Sequence, residues 1–142
     1  LVTIEQLFGP LKGLTWQRRK TADIDADCQA NPGGVFVAVE ENQVIGFITT
    51  CPHPETGIGH IPNLAVDPAH QGRGIGSALL RAALRYLDAQ GMTHVRIETL
   101  ETNMVGRHLY PKIGFREIAR QIYYVMEIPP PDEDVTPGET DT

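Results

Sequence analysis

The chain has 142 residues, 41% of them hydrophobic, enough for one domain with a single sizeable core and too few for two. No apolar run approaches the ~18–20 residues of a membrane span, and no secretory leader pattern is visible. The net charge is −6, but residues 129–142 hold five acidic groups and no basic one, so the remainder carries about −1 and no field that would draw nucleic acid.

Ile4, Leu7, Phe8 and Leu11 recur at helical spacing, and Gly9-Pro10 with Gly13 closes that first helix. A second short helix is predicted over 23–28, ended by Asn31-Pro32-Gly33-Gly34. Residues 35–39 form a strand, Glu41-Asn42 a tight hairpin turn, and residues 44–50 the returning strand. A loop with Pro52 and Pro54 follows, and residues 59–66 read as the next strand. A long amphipathic helix over 77–89 ends at Gly91, a position suited to a left-handed cap. In the strand after it, Val95, Ile97 and Thr99 alternate with Arg96, Glu98 and Leu100. Asn103 can cap a short helix that carries Tyr110 two turns on, on the same face. Pro111 biases Tyr110 away from helical backbone, so that helix is expected to end or kink there. Residues 115–121 and 123–128 are predicted as a last pair of strands. The proline-rich, acidic residues 129–142 read as a disordered tail beyond a domain over 1–128. The order predicts an α/β fold, a central mixed sheet with helices on both faces.

The stretch from Val66 to Gly76 bears the most chemistry. A strand end runs through Asp67-Pro68 into Gln71-Gly72-Arg73-Gly74-Ile75-Gly76-Ser77, and a helix follows at once. Glycines let a ligand approach the main chain, and the helix start offers unpaired N–H groups at its positive end. The segment reads as a phosphate cradle, with a plain turn as the alternative. It is not a Walker A loop, because no Gly-Lys-Ser/Thr follows. It is a poor dinucleotide fingerprint, because both gaps between its glycines are single residues. Cys28 and Cys51 stand alone, which suggests neither a disulfide framework nor zinc and suits a reducing cytoplasm. The five histidines show no metal-ligand spacing, so no metal is expected.

A second motif, Asn103 followed by Leu109-Tyr110-x-x-x-Gly114-Phe115, comes downstream in a fixed order with the cradle. Together they resemble the GCN5-related N-acetyltransferase (GNAT) superfamily over about residues 35–127. The resemblance implies a GNAT-like acyl-CoA N-acyltransferase fold, which usually has one more strand at its start; that first strand is expected either to be missing ahead of Leu1 or never to have been present. It implies acetyl-CoA as cosubstrate and a primary amine as acceptor. By the same resemblance Gln71 occupies the first loop position, and Leu64, Ala65 and Val66 offer their backbone to the pantetheine arm. Asn103 would contact that arm, and Tyr110 would protonate the departing thiolate. Glu98 and His60 fall where different members place the general base, with a water chain as the third option. The acceptor would meet residues 16–30, residues 51–60 and Tyr123-Tyr124, with Asp23, Asp25 and Asp27 either attracting a cation or forming a solvated face. Since neither cysteine adjoins a base, direct transfer is favoured over an acyl-cysteine route. A non-catalytic acyl-CoA binding domain and an unrelated nucleotide-phosphate binder are the rival readings. Strand edges near residues 115–128 point to a homodimer.

Overall fold

A computed structural model describes residues 4–9 and 16–131. Two helices, α1 (Ile4–Phe8) and α2 (Trp16–Ala30), precede the strands β1 (Phe36–Glu40), β2 (Gln43–Ile48), β3 (Ile58–Ile61) and β4 (Leu64–Val66). Then come α3 (Ile75–Ala89), β5 (His94–Ile97) and α4 (Met104–Ile113). The first predicted helix is present in its described part, and the second runs well beyond 23–28 at its N-terminal end. The predicted tail from residue 132 onward lies outside the described residues.

Strands β1, β2 and β4 form an antiparallel ladder in that order, while β3 and β5 pair in parallel. Glu41 and Asn42 join β1 to β2 with φ of 51° and 62°, the backbone that a right-twisted two-residue hairpin requires. The single strand predicted over 59–66 is in fact two. Pro62 has no N–H to give a ladder, and at Pro62-Asn63 the chain changes partners, from β5 on one side to β2 on the other. The backbone of β2 nevertheless runs on past both, since Thr49 N–H donates to the Asn63 carbonyl at 3.0 Å and Cys51 bridges His60. The two ladders are thus one mixed sheet that splits at β4 and β5.

Packing explains the layers. Leu79, Leu80, Ala83 and Leu87 of α3 are buried against Ile48 and Ile61, with Met92 closing the cluster. Fully burying a side chain of this size contributes about 1.5–3 kcal/mol. Gly46 faces this helix, because a Cβ there would stand 3.2 Å from Leu79. The next residue, Phe47, faces the other way, toward α2, as strand alternation demands. Helices therefore cover both faces. Buried Thr50 donates to the Gly34 carbonyl at 2.8 Å, and Asn31 links Thr50 to the Tyr86 hydroxyl, so the polar atoms at the end of β2 are paired.

Two expectations fail. Residues 115–121 and 123–128 form no strands; Ile118, Tyr124 and Ile128 are 94%, 89% and 93% exposed. Their alternation suits a strand, but no ladder hydrogen bonds hold them, and local propensity cannot substitute for a partner. The strand edges from which a homodimer was expected are therefore not formed there. The helix α4 also continues through Pro111 to Ile113. Pro111 lies in the last turn, and the Gly114 and Phe115 amides close that turn on the Tyr110 carbonyl at 3.2 and 3.0 Å. Those two bonds outweigh the pre-proline bias.

Candidate active site

Where β4 and β5 part, they leave a cleft of about 170 Å³. Asn63, Leu64 and Ala65 form one wall and Glu98, Thr99 and Asn103 the other, with Tyr110 between them. On the side facing β5, β4 has no strand partner among the described residues, so the backbone of Leu64, Ala65 and Val66 presents an open edge to the cleft. Such an edge can take an extended, amide-bearing arm as it would take another strand.

At one end of β4 the chain enters the glycine loop. Gly72 and Gly74 both have φ of +80°, where an L side chain would be strained, and Gly74 is the N-cap of α3. Among the described residues, the amides of Gly72, Arg73, Gly74, Ile75, Gly76 and Ser77 donate no hydrogen bond within the protein. Six donors at the positive end of a 15-residue helix suit a pyrophosphate. Gln71 Nε2 donates to the Val66 carbonyl at 3.3 Å and so ties the loop to β4. The Arg73 side chain turns the other way. Its guanidinium holds Glu40 in a two-pronged pair at 2.8 and 3.1 Å, and His70 Nε2 approaches the same carboxylate at 2.9 Å. The Arg73 hydrogen bonds, more than the nearby charge of His70, hold the Glu40 carboxyl below the usual range. Arg73 can therefore offer an anion its amide more readily than its charge.

At the other end stand Asn103, Tyr110 and Glu98. Asn103 caps α4 by accepting from the Gly106 amide at 3.1 Å, and its Nδ2 donates to Thr99 Oγ1 at 2.8 Å. Two turns on, Tyr110 packs edge-on against Phe115 with ring centroids 5.8 Å apart. Burial pushes the Tyr110 hydroxyl above its ordinary pKa, so it stays protonated through neutral pH and can only act as an acid there. Glu98 lines the cleft and His60 does not, but the two are not independent: His60 Nε2 lies 2.7 Å from Glu98 Oε2. Arg96 grips the other carboxylate oxygen.

The structure thus gathers Leu64, Ala65, Glu98, Asn103 and Tyr110 around one cleft, with His60 behind Glu98 and the loop alongside. Of the predicted acceptor segment, α2 contributes Lys20 and Ile24 to the lining. Neither was singled out in the sequence, although their i, i+4 spacing was there to read. Among the described residues no cluster of His, Cys, Asp or Glu could hold a metal ion.

A split sheet, an open strand edge and an amide-rich loop on a helix start make up the scaffold of an acyl-transfer protein. The profile of the Acetyltransferase (GNAT) family matches residues 1–115, and the chain belongs to that family. A mycothiol acetyltransferase of Streptomyces avermitilis is 33% identical over 110 residues, 78% of this chain. The chain spans only 36% of that relative's length. The solved structure of PH1933 from Pyrococcus horikoshii OT3 has a TM-score of 0.66 at 26% identity, over 74% of this chain and 69% of that one. The aminoglycoside N-acetyltransferase AAC(6')-Iy, solved in complex with CoA, has a TM-score of 0.60 at 22% identity, over 78% of this chain and 88% of that one. That last likeness is one of fold.

Proposed function

We propose that this chain transfers an acetyl group from acetyl-CoA directly to a primary amine. The observation that carries this is the meeting, in one cleft, of a carboxylate and a protonated tyrosine beside an open strand edge. Acetyl-CoA supplies an activated acetyl group, whose transfer forms a C–N bond, breaks a C–S bond and moves two protons. The loop amides from Gly72 to Ser77 bind the pyrophosphate, and the edge of β4 aligns the pantetheine arm. Glu98 takes the proton from the attacking nitrogen. His60, hydrogen-bonded behind it through Nε2, orients that carboxylate. Tyr110 donates its hydroxyl proton to the leaving sulfur. Glu98 and His60, alternatives in the sequence, work here as one unit.

The test is CoA thiol release from acetyl-CoA across a panel of amines and peptides, in wild type and Tyr110→Phe. Amine-dependent release that falls at least about tenfold in the variant supports the reading, since a positioned acid contributes typically 10²–10⁴-fold. Tight acetyl-CoA binding with no release for any amine would favour a binding domain instead. Single Glu98→Gln and His60→Gln variants should each lose most of what the double variant loses, as residues acting together do.

A further inference from the structure

The nature of the acceptor can be read from the charges in the cleft. Two charged side chains line it, Glu98 from beyond β5 and Lys20 from α2. Glu98 is already held by His60 and Arg96. Lys20 has no carboxylate partner among the described residues. Its position follows from the helix: Lys20 and Ile24 are one turn apart on one face, and that face looks into the cleft. None of the three aspartates of α2 is itself in the lining. Asp23 and Asp25 are exposed outside the cleft, and Asp27 accepts from Asn63 Nδ2 at 2.8 Å. Of the two readings of these acids, the exposure of Asp23 and Asp25 favours the solvated face.

An ammonium that lines the cleft with no carboxylate partner among the described residues favours an anion and opposes further positive charge. We infer that the acceptor is a primary amine carrying a carboxylate a few bonds from its nitrogen. The amine addresses Glu98 and the carboxylate addresses Lys20. A polycationic acceptor would set its additional amines against Lys20. The inference rests on the transferase reading above. The same chemistry belongs to a free amino acid and to a peptide whose first residue is acidic.

The experiment compares kcat/KM for free amino acids and their amides, and for peptides starting with Asp or Glu against those starting with Asn or Gln. It uses wild type, Lys20→Met and Lys20→Arg. In wild type the acids should be preferred about tenfold, the size of one charge-assisted contact at a half-open site. Lys20→Met should erase that preference by raising the acceptor KM, leaving kcat and the acetyl-CoA KM unchanged, and Lys20→Arg should restore it. A preference for amides in wild type, or an acid preference that survives in Lys20→Met, would overturn the inference and leave the transferase standing. Absence of release with every amine in wild type would instead overturn the transferase reading, and this one with it. Which acidic series is preferred identifies the source of the carboxylate.

Discussion

Gly106 is the position where a single added methyl group tests the proposed roles of Tyr110 and Asn103 separately from folding. An ideal Cβ there would stand 2.8 Å from Asn103 Nδ2, 3.0 Å from Tyr110 Cε2 and 3.2 Å from Thr99 Oγ1. Ordinary contact begins at 3.4 Å, so in Gly106→Ala the Tyr110 ring and the Asn103 amide must each withdraw by about half an ångström. Alanine gains about 1 kcal/mol of helix propensity over glycine. Overpacking costs about 1–3 kcal/mol. The net loss of stability is then about 0–2 kcal/mol, a fall of several degrees in Tm. Catalysis has no such offset. A misplacement of this order at the reacting groups costs about 10–100-fold in rate. Circular dichroism melts and CoA-release kinetics on the same preparation separate the two effects. A Gly106→Ala enzyme with wild-type kcat would show that Tyr110 and Asn103 are not positioned through this contact.

Further outcomes follow from other sites. Burial raises the Tyr110 pKa above its ordinary 10.0, so the native state holds this proton longer than the unfolded chain. That stability is complete below pH 10 and is lost as pH rises through the raised value; Tyr110→Phe should flatten the alkaline fall of Tm. Glu40 behaves in the opposite sense: its pKa lies below 4.5, so its contribution is present above that pH and lost as pH falls through the lowered value. Glu40→Gln should therefore weaken the acid dependence of Tm and free the Arg73 side chain, which acetyl-CoA titrations would register as tighter binding. In the core, Leu80 is 0% exposed, and Leu80→Ala should cost about 2–5 kcal/mol in a urea melt without changing the acetyl-CoA KM of the folded fraction.

The parts legible in the sequence are those whose cause is local. The φ above zero at Gly72 and Gly74, the hairpin at Glu41-Asn42 and the Asn103 cap each follow from one or two residues and their own backbone. What escaped depends on partners far along the chain. Residues 59–66 look like one apolar strand, and only Pro62 hints that it changes neighbours. Residues 115–128 have the composition of strands, yet pairing is decided by what lies alongside them. His60 and Glu98 are 38 residues apart, and the parallel register of β3 on β5 brings them to 2.7 Å. Lys20 sits between Arg19 and Thr21 in a polar run, where nothing marks it as different until the face of α2 is known.

The split between β4 and β5 also bears on pairing between copies of the chain. An open strand edge invites a strand from another molecule, and most proteins must blunt every edge they leave exposed. This edge is three residues long and bracketed by Pro62 on one side and Pro68 on the other, neither of which has an N–H to donate. An incoming chain would find too short a template to propagate a sheet. An arm with a few spaced amides, by contrast, needs no more than those three residues. The same two prolines that bracket β4 thus suit the edge to a short polar tether, as in the proposed cofactor site, better than to a polypeptide strand.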